Sequence, residues 1–256
     1  MVTLIGADLA WRSQKNHTGL VAFRGGKAGA TFLDIKEDVH DLDGVVDFVK
    51  HCRTENTVVA IDAPLIIRNR SGRRPCEAAI TERFAEAHAG CHPSNLTLYP
   101  SPGGVELAAS LEGEGFSHIP SSRSGWSRRG CWFFEVYPHP AHVVLFGRRR
   151  IIKYKKGPVA SRRIGLAEFR REIKQRILRA SGSLRPTDRL CALLDLDLKS
   201  LRGKTLKSYE DTLDAILCAY LAFHLWRWGW QRSEMVGDLE SGYIVLPTVA
   251  LNDVAS

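Results

Sequence analysis

The chain has 256 residues, 44% hydrophobic and 25% charged, which excludes a disordered or fibrous polymer and allows a sizeable core without covalent staples. Its formal net charge of +8 leans towards an anionic partner, most commonly nucleic acid, with a basic enzyme that holds no polyanion as the alternative. Six cysteines with no CxxC pair exclude a zinc ribbon or finger and read as reduced thiols of a cytoplasmic protein, while the longest apolar run, 215–223, is too short to span a bilayer.

VTLIGADLA (2–10), broken by Gly6 and Asp8, predicts a buried strand with an acid near its C-terminal end. The start of the chain lacks the basic and small-residue marks of a signal peptide. HTGLVAF (17–23) and AGATFLDI (28–35) predict two further strands joined by the turn RGGK (24–27). LDGVVDFVKHC (42–52) carries Val45, Val46, Phe48 and Val49 on one stripe and predicts a helix. NTVVAIDAPL (56–65) predicts a strand that ends at Asp62 and is stopped by Pro64. The first 65 residues therefore read β-β-β-α-β.

A basic stretch, 66–80, leads into a helix near 75–88. Residues 100–130, rich in Gly, Ser and Pro, predict a long irregular insertion. CWFFEVYP (131–138) predicts a fifth strand, ending near Glu135 and closed by Pro138. In 148–163, eight of sixteen residues are Lys or Arg, and 164–181 predicts an amphipathic helix. YEDTLDAILCAYLAF (209–223) predicts a helix buried nearly all round, yet with Glu210, Asp211 and Asp214 in or just before its first turn. SGYIVLPT (241–248) reads as an edge strand.

Three predicted strands end in an acid: Asp8, Asp62 and Glu135. Carboxyl ends of parallel strands gather binding groups, and a helix packed on the sheet could bring Asp211 and Asp214 to the same rim. Carboxylates crowded in this way raise one another's pKa or recruit a cation. Oxygen ligands without Cys suit Mg²⁺ or Mn²⁺, and two such ions about 3.5–4 Å apart can clamp a phosphodiester. Each acid also has a plainer reading. Asp8 could bond backbone near Gly6, Asp62 could form a turn, Glu135 could pair with an arginine, and Glu210 and Asp211 could cap their helix. Asp214 is the hardest to explain without a site.

GADLAW (6–11), AIDAPL (60–65), RRPCE (73–77), EVYPHP (135–140), KYKKG (153–157) and YEDTLDAILCAYLA (209–222) occur in the order seen in the DUF429 family, which the chain resembles from about residue 3 to 247. Members of that family are predicted nucleases of the RNase H-like fold. The resemblance implies one α/β domain over 1–256, with a mixed five-stranded sheet whose first three strands are antiparallel, and insertions at 66–130 and 138–208. It implies that Asp8, Asp62 and Asp214, with Asp211, resemble the acids that hold metal in that superfamily. Glu135 belongs to the family's own EVYP motif, with a less defined part in catalysis. The family often shows Arg-x-Cys-Asp where this chain has Glu77 after Cys76, so Glu77 is not expected as a ligand.

Arg73 and Arg74 follow the Asp62 strand, and Lys153, Lys155 and Lys156 follow the Glu135 strand. They would flank the acids and grip phosphates, or else form solvated basic loops. Tyr154, Trp126 and Trp132 are candidates for stacking on bases, although Trp132 suits a core better. His92, His139 and His142 could assist proton transfer or be structural. The expected function is a metal-dependent nuclease using Mg²⁺ or Mn²⁺. The alternatives are a binding module that does not cut and a phosphotransferase of the actin and sugar-kinase type. The last is disfavoured by Leu9-Ala10-Trp11 after Asp8, where a Gly would let phosphate approach.

Overall fold

A strand that is apolar on both faces belongs to a sheet covered on both sides, and β1 (Val2–Asp8) is buried along its whole length. Val2 and Leu4 enter one core with Val58, Ala60 and Val136, while Ile5 and Ala7 enter another with Val59, Ile61 and Phe133. The computed structural model describes residues 1–10, 17–122, 124–178 and 183–251. Trp11 and residues 179–181 of the helix expected over 164–181 lie outside them.

β2 (Thr18–Gly26) pairs antiparallel with β1, and β3 (Gly29–Val39) antiparallel with β2. Helix α1 (Leu42–Cys52) starts at Asp41, whose carboxylate accepts the Gly44 N–H, and buries Val45, Phe48 and Val49. β4 (Asn56–Ile61) then runs parallel to β1. The opening order β-β-β-α-β is thus present as expected.

There follow α2 (Pro75–Phe84), α3 (Gly103–Gly113), β5 (Ser117–His118), β6 (Gly130–Glu135) and α4 (Pro138–Leu145). Next come α5 (Val159–Glu172), extended by a π-helical turn Ile173–Ile177, then β7 (Leu184–Arg185), α6 (Asp188–Leu194) and α7 (Gly203–Trp228). A hairpin, β8 (Ser233–Asp238) and β9 (Gly242–Pro247), closes the described chain. The result is a mixed α/β architecture whose main sheet has seven strands in the order β5-β6-β4-β1-β2-β3-β7.

The sheet therefore has seven strands rather than five. The two additions, β5 and β7, are two residues each, too short to leave an alternating pattern in the sequence. The expected edge strand at 241–248 forms β9, but it pairs with β8 in a separate two-stranded sheet. The stretch 100–130 is not irregular throughout, because α3 lies inside it and buries Leu107, Ala108 and Leu111. Its Gly104 is a packing residue, since a Cβ there would lie 2.3 Å from the Pro64 carbonyl oxygen. Pro138, expected only to stop a strand, also stands in the first turn of α4, where a missing N–H does no harm. No helix among the described residues is long and apolar enough to cross a membrane.

Helix α7 sets the geometry of everything below. Its backbone lies directly on β1 at Gly6, where a Cβ would come within 2.0 Å of the Ala215 carbonyl oxygen and 2.2 Å of the Ala219 nitrogen. It lies on β2 at Gly19, where a Cβ would come within 2.7 Å of the Asp211 carbonyl oxygen. Backbone cannot give way as a flexible side chain can. Gly6→Ala is therefore expected to lift α7 from the sheet and lower stability by about 1–3 kcal/mol. Urea unfolding of both proteins checks this, and an unchanged midpoint would mean that the helix does not rest on Gly6.

Candidate functional site

Asp8 ends β1, and Asp62 is the residue after β4. Ala7 and Ile61 are Cα partners in the parallel pair, and the Asp62 N–H donates to the Ala7 carbonyl oxygen at 2.8 Å. The two acids therefore stand side by side. They share parity with Val2, Leu4, Val58 and Ala60, so they point to the face that α7 covers. Across that face α7 presents Asp211 and Asp214, three residues apart and both buried.

Asp8 stands close enough to Asp62 and to Asp211 to raise the pKa of both. Tyr154 Oη donates to Asp214 Oδ1 at 2.6 Å. Lys155 Nζ lies 3.1 Å from Asp214 Oδ2 and 3.9 Å from Asp62 Oδ2. Lys207, one turn before Asp211 on α7, reaches both Asp211 and Glu210. Arg162 holds the other oxygen of Glu210 at 3.0 Å.

Burial, with Asp8 and Asp214 adding to it, holds the Asp62 carboxyl well above the usual carboxylate range against the opposing charge of Lys155. Burial and then the charge of Asp8 push Asp211 up to about 9, against Lys207. Burial pushes Asp214 up to about 6, with Lys155 and the Tyr154 hydroxyl opposing. Burial works against the charge of Lys155 too, but Asp214 and Asp8 keep its pKa well above that of a free lysine.

Four aspartates and two lysines thus share one site, which leaves two negative charges in excess when all are ionised. Asp211 Oδ2 is buried and has no hydrogen-bond partner. An excess of two charges, oxygen donors and an unsatisfied buried oxygen suit one hard divalent cation. The acids are linked in pairs, however. No three of them bring an oxygen each within 4.8 Å of one another. Lys155→Met should therefore tighten Mn²⁺ binding roughly tenfold, about 1.4 kcal/mol, by removing a competing cation. Calorimetric titration reads it, and weaker binding in the variant would make Lys155 a partner of the metal rather than its rival.

Glu135 is placed differently. It is in register with Ile61, one residue short of the level of Asp62, so alternation turns its side chain to the other face of the sheet. There it accepts from Arg74 through both oxygens, at 2.8 and 2.6 Å, and from the Leu65 N–H at 2.9 Å. Arg74 also donates to Glu77 at 2.9 Å and is 1% exposed. The two residues border the cleft described below, but their charges face each other. Arg74 is therefore not available to grip a phosphate, and the arginine partner weighed for Glu135 is the one found.

Asp8, Asp62 and Asp211 line a cleft of about 760 Å³, with Lys153, Lys156 and Lys207 on its walls, while Asp214 is fully buried. Lys153 and Lys156 are exposed there, whereas exposed Arg73 is turned to the Cys91 carbonyl oxygen at 3.3 Å. Tyr154 is fully buried and cannot stack on a base. Its ring lies among His142 and Phe169, and His142 is likewise enclosed. His139 reaches the cleft and hydrogen-bonds to Tyr137 Oη, and burial holds its pKa down to about 3. His92 lies 3.5 Å from Lys156 Nζ on the same wall. Trp132 packs partly buried on the core, with Trp126 at a ring distance of 6.1 Å.

The capping role weighed for Glu210 and Asp211 does not hold. Helix α7 starts at Gly203, with Arg202 as its N-cap, so both acids lie well inside it. Sequence reasoning missed Lys207 altogether, although its spacing of four from Asp211 is the one that forms helical ion pairs. The part of Tyr154 in holding Asp214 had no local signal.

A family model described as a protein of unknown function (DUF429) matches residues 6–230. No curated protein and no solved structure matches the chain.

Proposed function

The chain belongs to the DUF429 family, and from that premise we propose that it is a metal-dependent phosphodiester hydrolase of RNase H-like fold acting on nucleic acid. The observation that carries the proposal is the convergence of Asp8, Asp62, Asp211 and Asp214, from two parallel strand ends and one buried helix, with the first three lining a lysine-walled cleft. A mixed sheet whose first three strands are antiparallel supports the same reading of the fold.

Asp8, Asp62, Asp211 and Asp214 would hold one or two Mg²⁺ or Mn²⁺ ions. When bound, such an ion supplies Lewis-acid activation of water and neutralises charge on the phosphate. The chain's own residues do the rest. Tyr154 fixes the orientation of Asp214 through its hydroxyl. Lys207 holds Asp211 from the solvent side of α7. Lys153 and Lys156, exposed on the cleft wall, would grip flanking phosphates and make binding fall as salt rises.

The test is a cleavage screen over labelled DNA, RNA, hybrid and branched substrates with Mg²⁺ and with Mn²⁺. Cleavage that needs the ion and disappears in chelator supports the proposal; none on any substrate with either ion defeats it. A binding module that does not cut is the second reading. It is favoured by the ammonium of Lys155 lying between Asp62 and Asp214. Under that reading Mn²⁺ binds weakly or not at all in calorimetry, while nucleic acid is still retained.

A further inference from the structure

A second group of potential ligands stands apart from the four aspartates. Thr18 and Val39 are Cα partners at one end of the β2–β3 pair, so His17 and His40 flank that pair from opposite strands. Asp38 precedes His40 by two residues, the spacing that returns to the same side of an extended chain. His40 Nε2 lies 3.3 Å from Asp38 Oδ1, the same oxygen that His17 Nδ1 meets, and the two imidazole rings are 4.3 Å apart. Among the described residues this is the group of His, Cys, Asp and Glu whose donor atoms all lie within 4.8 Å of one another. His17 is 8% exposed, whereas Asp38 and His40 are 69% and 50% exposed.

We propose that His17, Asp38 and His40 form a binding site for a divalent transition metal of the zinc class. Two imidazoles and one carboxylate are the donors that zinc takes in open three-ligand sites, and imidazole does not suit Mg²⁺. The buried His17 anchors the ion on the sheet, and the exposed Asp38 and His40 leave an entry path. His17 also lines the cleft, and it lies two residues along β2 from Gly19, the partner of Asp8. The ion would therefore sit at the rim of the cleft, about 7 Å of strand away from the level of Asp8. Its open coordination position is suited to an anionic oxygen, such as one of a phosphate. The assignment stands whether or not the aspartates hold a metal.

The experiment uses the full chain without a histidine tag, freed of metal by chelation and titrated with Co²⁺ as a coloured substitute for Zn²⁺. One equivalent is expected to give visible absorption bands that Zn²⁺ removes and excess Mg²⁺ does not. His40→Ala should bind at least about tenfold more weakly. Asp8→Asn should bind as the parent does. His40 is half exposed, so the variant should keep its fold, which circular dichroism checks; His40→Gln serves if it does not. The assignment is overturned if the parent gives no bands, or if the bands persist in both His40→Ala and His17→Ala. It is equally overturned if Asp8→Asn loses them while His40→Ala keeps them, because the ion would then belong to the aspartates.

Discussion

Asp8→Asn is expected to lower metal-dependent cleavage by at least about a hundredfold, more than the loss of an outer contact to a metal ligand usually causes. Asp8 is the central member of the site, since its charge acts on Asp62, Asp211, Asp214 and Lys155 alike. Removing its charge leaves three acids against two lysines and halves the excess negative charge that a cation would match. Asp214→Asn should act in the same direction. It would keep a partner for Tyr154 but lose its attraction for Lys155. Initial rates over a Mn²⁺ series, with calorimetry beside them, read both changes. If both variants cleave like the parent at saturating metal, the carboxylates are not the machinery and the proposed mechanism is wrong.

Arg74→Met is expected to have the largest effect on stability, a loss of about 3–5 kcal/mol. Among the described residues Arg74 is the one ion-pair partner of both Glu135 and Glu77, and all three are buried. Removing the guanidinium leaves two carboxylates without a counter-charge in the interior, where they must either be protonated or draw in water. Thermal unfolding should fall by roughly 10 °C for a chain of this length. Glu135→Gln is the informative companion. It should cost stability by breaking the bidentate pair, yet leave Mn²⁺ affinity unchanged, because Glu135 faces Arg74 and not the aspartates. A drop in Mn²⁺ affinity equal to that of Asp8→Asn would return Glu135 to the metal site.

The contrast between Asp62 and Glu135 shows where the sequence is legible and where it is not. Both close an apolar strand, and both read as rim acids. One residue of register separates them, and because side chains alternate, one residue is enough to turn a carboxylate from one face to the other. Register belongs to the pairing of strands and is not a property of either strand alone. The helix boundaries carry the same lesson. Leu42–Cys52 is bounded by its own stripe and its own cap at Asp41, and it was readable to the residue. The start of α7 at Gly203 was not readable, because 203–208 is polar and shows no apolar stripe.

Cations were harder to place than acids. Lys155 and Arg74 both read as hands for phosphate, since both follow an acid-ended strand. The structure turns them inwards, one to Asp214 and Asp62 and the other to Glu135 and Glu77. A long side chain near a buried carboxylate is drawn to it by the low dielectric of the interior, and sequence does not show which carboxylates are buried.

The sequence by itself determined the opening β-β-β-α-β order, the buried character of the long helix, and the acids at strand ends and on that helix. These follow from local periodicity and from the rarity of acid in an apolar run. Tertiary structure alone decided which acids meet. Gly6 and Gly19 let α7 lie directly on β1 and β2, and that contact carries Asp211 and Asp214 to Asp8 and Asp62. It also decided that His17, Asp38 and His40 stand together, through a strand pairing that joins residues over twenty positions apart. Meetings of this kind depend on long-range packing and register, and no local run of residues records them.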